Sequence, residues 1–200
     1  MAISEKRLTL DEFLKLRERK PALEFADGVV TQKPMPKGKH SALQYALAEA
    51  INRFALTSKL ARAFPELRTT YTGRSYVPDV AVYGRDCIPH DPDGRVADDF
   101  FDPPDLAIEI VSPKQSGTAL VRKCLWYVEN GVLVPLLVDP ADESVLLFRL
   151  GRATRALRES DRVELGDALP GFALTVADIF GSGCSDLTRW KLTRLLSDYD

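Results

Sequence analysis

Cysteine is scarce in this sequence, and the long apolar segments that a membrane protein needs are missing. The three cysteines, Cys87, Cys124 and Cys184, are far apart and form no Cys-x-x-Cys motif. This pattern argues against a disulfide framework or a structural zinc site and is typical of reduced thiols. No apolar run approaches the roughly 20 residues of a membrane helix, and residues 1–7 do not lead into a secretory signal. We therefore expect a cytoplasmic protein that does not contact a membrane.

A strong charge bias of either sign is also missing. The formal net charge is −2, although 28% of the residues are charged. This balance argues against a protein that coats polyanions in general, but it permits a local basic groove. The 200 residues, 45% of them hydrophobic, suffice for a sizeable core, and the length favours a single domain.

Two short apolar runs that each carry an acid stand out in the centre of the chain. Residues 76–83 contain Asp79, and residues 105–112 contain Glu109. Continuous apolar runs of this length between turn residues predict strands that are covered on both faces. A carboxylate inside such a strand is costly unless it is paired, protonated or bound to a cation. Two carboxylates on consecutive strands suggest a metal ion that satisfies both.

Further elements are predicted on both sides of these runs. Thr9 and Glu12 have the spacing of a capping box, which predicts a short helix through about residue 16 with Leu14 on its apolar side. Asp27-Gly28 between two apolar stretches indicates a β-hairpin. Apolar residues at three- and four-residue steps predict longer helices at 40–54 and 118–130.

The order of the elements predicts a mixed α/β fold, with a central mixed β-sheet flanked by helices. The strand around Glu109, the helix at 118–130 and a strand at 133–138 would form a βαβ unit with a right-handed connection. Further strands are expected at 67–72 and 145–149. Residues 84–104 are polar and rich in proline and aspartate, which predicts a long surface loop.

Several polar residues near these elements have an ordinary structural interpretation. Glu24 is as well explained by a solvent-facing strand position as by a functional role. The lysines at 33, 37 and 39 form a basic loop whose default interpretation is a solvated connector. His40, at the start of a helix, is more often a capping or surface residue than a ligand. Lys123 falls on the flank of an apolar helical stripe, so it should point partly toward the sheet or extend along its edge into water.

Several short motifs, taken in order, resemble one bacterial family. They lie at residues 23–28, 77–80, 104–113, 123–127, 137–140 and 169–172. Their order and spacing are similar to the Uma-type family of the restriction-endonuclease-like PD-(D/E)xK nuclease superfamily. The resemblance covers residues 8–180 and implies a restriction-endonuclease-like core, with 181–200 as a helical extension of the same domain.

The resemblance also implies a metal-dependent phosphodiesterase site. Asp79 and Glu109 would bind Mg²⁺, with Mn²⁺ as an alternative, and the backbone carbonyl of Ile110 would be a third ligand. Val111 stands where the superfamily pattern has a lysine, and Lys123 is the position from which the family supplies it. Lys114 is a weaker rival for that role.

Two further residues and two functions complete the interpretation. Glu24 and His40 lie at family-like positions and are secondary members of the catalytic set. The implied activity is endonucleolytic cleavage of DNA; the alternative is a catalytically inactive nuclease-fold module that binds nucleic acid or a protein.

A predicted helix at 186–196, which contains Trp190, could dock on the core or on another subunit, and nucleases of this fold commonly act as homodimers.

Overall fold

A computed structural model describes residues 7–113 and 115–181 of the chain. The helices and strands in chain order are α1 (Leu10–Leu14), β1 (Leu23–Ala26), β2 (Val29–Gln32), α2 (Gly38–Ser58), β3 (Ala61–Pro65), β4 (Thr69–Tyr71), β5 (Arg74–Tyr76), β6 (Val80–Gly84), β7 (Leu106–Ile110), α3 (Gly117–Glu129), β8 (Val134–Asp139), β9 (Ser144–Leu147), β10 (Arg155–Arg158), β11 (Arg162–Glu164), β12 (Ala173–Thr175) and α4 (Val176–Phe180).

The largest sheet is mixed and contains six strands in the order β10-β9-β8-β7-β6-β3. β7 and β8 are parallel and are connected by α3, which is the predicted βαβ unit. The other neighbouring strands of this sheet are antiparallel. The predicted class, a mixed sheet flanked by helices, is confirmed.

The two long helices pack on opposite faces of this sheet. Successive strand residues point to opposite sides, so each helix contacts its own set of strand side chains. Ile51 of α2 joins the cluster that contains Ile108 of β7. On the other face, Leu120 and Cys124 of α3 pack against Leu137 of β8. Both faces of β7 and β8 are therefore covered, as the continuous apolar runs predicted.

A second sheet has the strand order β2-β1-β5-β4. One of its strands corrects the prediction of a single strand at residues 76–83. Residues 76–83 are not one strand: Tyr76 ends β5 in the second sheet, and Val80 begins β6 in the central sheet. Pro78 has no N–H group with which to continue a strand ladder, so the chain changes sheets there. Asp79 is consequently the residue just before β6.

The N-terminal predictions are largely confirmed. The capping box is present, with the backbone N–H of Glu12 donating to Thr9 Oγ1 at 3.2 Å. However, α1 ends at Leu14 and that side chain is exposed, so its predicted place on the buried side was wrong. β1 and β2 form the predicted hairpin around Asp27-Gly28. β3 was not predicted.

Residues 84–104 form the expected long connection, with one turn of 3-10 helix at Arg85–Cys87. Within the described residues, no helix is both long and apolar enough to cross a membrane. Lys114, Cys184 and the predicted helix at 186–196 lie outside the described residues.

Candidate active site

The strand register brings the two predicted acids together. Val80 of β6 pairs with Ile108 of β7, so Asp79, one residue before Val80, lies beside the part of β7 that contains Glu109. Both acids are only 2% exposed. The backbone N–H of Ile110 donates to Asp79 Oδ2 at 2.7 Å and fixes that carboxylate against β7.

The side chains of Lys33 and His40 converge on the other oxygen of Asp79. Lys33 Nζ lies 2.6 Å from Asp79 Oδ1, and His40 Nε2 lies 3.3 Å from the same atom. Burial by itself raises the pKa of Asp79, but the hydrogen bond from His40 and the charge of Lys33 outweigh it and lower the pKa from 3.8 to about 2. Asp79 is therefore ionised at neutral pH despite its burial.

The first turns of α2 hold this part of the site in place. His40 Nδ1 is 3.0 Å from the hydroxyl oxygen of Ser112, which follows β7 by two residues. Gln44, one turn further along α2, donates from its side-chain amide to the backbone carbonyl of Asp79 at 2.9 Å. A chain of polar contacts thus runs from Ser112 through His40 to Asp79.

Glu109 has a different set of partners. Its Oε1 accepts a hydrogen bond from the Tyr127 hydroxyl at 2.8 Å and lies 2.8 Å from Lys123 Nζ. Within the described part of the chain, no hydrogen bond reaches its Oε2. Burial raises the pKa of Glu109 above 4.5, even though the charge of Lys123 opposes that rise.

Lys123 joins Glu109 to a third acid, Glu24. The Lys123 ammonium is 2.7 Å from Glu24 Oε1, which also accepts from the backbone N–H of Val77 at 2.9 Å. Burial favours a neutral amine, but the two carboxylates outweigh it and raise the pKa of Lys123 above its usual value. The Tyr76 ring lies 4.9 Å from this ammonium. Glu24 is 8% exposed, so it is a member of the cluster and not a solvent-facing strand residue.

Comparisons with known proteins agree with this arrangement. The model of the Uma2 family, described as a putative restriction endonuclease, matches residues 10–177. The chain belongs to the Uma2 family. No curated protein matches this Uma2 chain.

A solved structure of a nuclease-like protein is similar to this Uma2 protein over most of its length. The crystal structure of a putative nuclease belonging to DUF820 from Anabaena variabilis is 38% identical, with a TM-score of 0.84 over 87% of this chain and 98% of that chain. A cryo-EM structure of a DrdV–DNA complex is 16% identical, with a TM-score of 0.36 over 78% of this chain and 12% of that chain.

The donor atoms of this Uma2 site suit a hard divalent cation. Magnesium is held by one or two carboxylates and completes its shell with water and substrate phosphate. Asp79 and Glu109 offer such a pair, and both are buried. No cluster of three or more histidine, cysteine, aspartate or glutamate side chains suited to a metal occurs among residues 7–113 and 115–181.

The Uma2 site also contains residues that sequence reasoning missed. Lys33 was expected in a solvated connector; that expectation was wrong, because its side chain is 10% exposed and also donates to the Val77 carbonyl at 2.7 Å. Tyr127 was assigned only to the apolar stripe of α3. Its position four residues after Lys123, on the same face of the helix, was a usable signal. No local pattern pointed to Lys33 or to Ser112.

Proposed function

We propose that this protein is a metal-dependent endonuclease that hydrolyses phosphodiester bonds in DNA. One observation carries the proposal: Asp79 is bound by the backbone N–H of Ile110, the residue that follows Glu109, and Lys123 Nζ lies 2.8 Å from Glu109 Oε1. A family described as a putative restriction endonuclease, to which the chain belongs, supports a phosphodiester as the bond that is cut.

Asp79 and Glu109 would hold Mg²⁺, with Mn²⁺ as an alternative, and the carbonyl of Ile110 is proposed as a third ligand. A bound divalent cation would polarise the phosphate and lower the pKa of a coordinated water. Asp79 is suited to this task because its lowered pKa keeps it ionised. Its orientation is set by the N–H of Ile110 and by His40, which is therefore proposed as a positioning residue.

Lys123 is proposed to orient the attacking water and to stabilise negative charge in the transition state. Its raised pKa keeps it protonated at neutral pH, which favours charge stabilisation over general-base catalysis. Glu24 also contacts the ammonium, with Oε1 2.7 Å from Lys123 Nζ. Glu24 thus has a positioning role in this scheme.

A catalytically inactive module that binds nucleic acid or a protein is the second candidate. The observation that favours it is that Lys33 and Lys123 already neutralise the buried carboxylates. The acids are therefore tolerated in the fold without a metal ion. Such a module would keep the fold and the ion pairs but would not cleave DNA.

The test uses circular substrates, which have no ends, so that only an endonuclease can cut them. Wild type, Asp79→Asn and the exposed-site control Asp93→Asn are incubated with supercoiled plasmid and with single-stranded circular DNA. We expect wild type and Asp93→Asn to cut in Mg²⁺ or Mn²⁺ and to stop cutting in chelator, whereas Asp79→Asn is inactive throughout. Cleavage that survives both the substitution and the chelator contradicts the metal mechanism. Absence of cleavage by wild type favours the inactive module.

We also propose a single domain over residues 1–200, a homodimeric state and a cytoplasmic location. Analytical ultracentrifugation of the full chain checks the dimer, whose measured mass should be about twice the 22.2 kDa of one chain.

A further inference from the structure

A groove of about 590 Å³ at the far edge of the central sheet carries an excess of positive charge. It is lined by residues of β10, the last strand of that sheet, and of the small antiparallel pair β11 and β12. Its charged residues are four arginines and two acids: Arg149, Arg152, Arg155, Arg162, Glu164 and Asp167. The whole chain has a formal net charge of −2, so the positive excess in this arginine groove is local.

The positive charges of the arginine groove are not neutralised by ion pairs within the protein. In the described part of the chain, the arginines that pair with a carboxylate lie elsewhere: Arg53, Arg74, Arg95 and Arg158. Arg152, Arg155 and Arg162 are exposed. Exposed guanidinium groups without an internal counter-ion are available to an external anion.

Arg149 is held in the groove by the backbone and not by an acid. Its Nη2 donates to the carbonyl of Glu164 at 2.6 Å. Gly166 lies directly against the guanidinium, where a Cβ atom would be 2.9 Å from Nη1. A carbonyl oxygen orients the guanidinium without cancelling its charge, so Arg149 adds a fixed positive charge to the three exposed ones.

We propose that the arginine groove binds the phosphate backbone of duplex DNA beside the cleavage site. The inference rests on the proposed function and adds a contact surface outside the catalytic cluster. A planar guanidinium matches two oxygens of one phosphate. In the described part of the chain, the one aromatic residue that lines the groove is Phe172, which is only 9% exposed and packs on Phe54. The groove therefore lacks a platform on which unpaired bases could stack, and it fits the outer backbone of a duplex.

The arginine groove and the buried acids lie near opposite ends of α2. His40, in the first turn of that helix, is 3.3 Å from Asp79. Phe54, near its end, packs against Phe172 of the groove with the ring centres 5.3 Å apart. A helix rises about 1.5 Å per residue, which separates His40 from Phe54 by about 21 Å. Each DNA strand advances about 3.4 Å per nucleotide, so a duplex that reaches both places extends about six base pairs past the cut.

The experiment measures binding in chelator, so that nothing is cut. A labelled duplex of about 20 base pairs, which is long enough to span both places, is titrated with the full chain by fluorescence anisotropy at several salt concentrations. The informative variant is Arg152→Gln/Arg155→Gln. The matched control is Arg17→Gln/Arg95→Gln, since both positions are exposed and neither lines the groove.

The loss of two phosphate contacts should change both the affinity and its salt dependence. We expect the groove variant to bind the duplex about tenfold more weakly, with a slope of log K against log salt that is less steep by about 2. The control should keep the slope of wild type and an affinity within about twofold of it. Arg152→Lys/Arg155→Lys keeps both charges and should also keep the slope.

Three results would overturn the proposal. They are equal affinities and slopes in the groove and control variants, no binding of the duplex by wild type, and a lysine variant with a slope as shallow as that of the glutamine variant. Vesicles that contain phosphatidylserine test a lipid surface as the occupant. Vesicle binding that the groove variant loses while its DNA binding is unchanged would also overturn the proposal. The proposed function fails separately, if the duplex is bound through these arginines but is not cut in Mg²⁺.

Discussion

Lys123 Nζ lies between two buried carboxylates, 2.7 Å from Glu24 Oε1 and 2.8 Å from Glu109 Oε1. Glu24 belongs to β1 of the smaller sheet and Glu109 to β7 of the central sheet, so one ammonium group connects the two sheets. An ion cluster of this kind costs free energy when its charges leave water, and it is tolerated only while every member keeps its partners.

Replacing Lys123 with methionine should therefore destabilise the protein strongly. The change leaves Glu24 and Glu109 buried without their shared cation, and removal of one member of a buried ion pair costs about 3–5 kcal/mol. The loss should be smaller at pH 5 than at pH 7, because the pKa of Glu109 is already raised and protonation removes its charge. Urea unfolding of wild type and variant at both pH values measures this loss in the free energy of unfolding. Lys39→Met, at an exposed position of α2, is the control, and a loss in Lys123→Met no larger than in Lys39→Met would contradict this account.

Two tyrosines allow a matched test of the hydrogen bond to Glu109. Tyr127→Phe removes a donor 2.8 Å from a buried carboxylate and should lower the free energy of unfolding by about 1.5–3 kcal/mol. Tyr71 is also buried, but its hydroxyl has no hydrogen-bond partner among residues 7–113 and 115–181. Tyr71→Phe should therefore be neutral or stabilising. Equal losses in the two variants would show that the Tyr127 hydroxyl contributes nothing specific.

The lowered pKa of Asp79 predicts that the folded protein loses a defined amount of stability in acid. Its pKa is lowered from 3.8 to about 2 in the folded protein, so between these values the unfolded chain binds more protons. The stabilisation is fully present above about pH 4 and disappears as the pH falls through 2; it amounts to about 2 kcal/mol. Wild type should lose that much more than Asp79→Asn between pH 5 and pH 2 in chemical unfolding. Parallel pH profiles for the two proteins would contradict the assignment.

Divalent metal should compete with Lys33 for Asp79. Mg²⁺ or Mn²⁺ should raise the unfolding temperature of wild type but not of Asp79→Asn, and at ten times its Kd a bound ion stabilises by about 1.4 kcal/mol. Lys33→Met removes the ammonium 2.6 Å from Asp79 Oδ1, so it should bind metal more tightly than wild type. Lys37→Met, at an exposed position of the same loop, is the control. Weaker metal binding in Lys33→Met than in Lys37→Met would show that Lys33 helps to hold the ion.

Much of the scaffold was predictable because its signals are local. The Thr9–Glu12 capping box, the Asp27-Gly28 hairpin and the helix that carries Lys123 each follow from residues a few positions apart. The same reasoning failed at residues 76–83, where composition indicated one strand. The ladder is interrupted at Pro78, and the choice of a new sheet for Val80 depends on strands that lie elsewhere in the chain.

The sequence by itself determined that two acids would sit in apolar segments and that a lysine would lie on the flank of a helix's apolar stripe. Only the tertiary structure decided which cations meet those acids. Lys33 reaches Asp79 across 46 residues, and Lys123 reaches Glu24 across 99. Periodicity and turn chemistry act between neighbours in the chain, whereas a buried charge is satisfied by whichever group the packed sheets bring within about 3 Å.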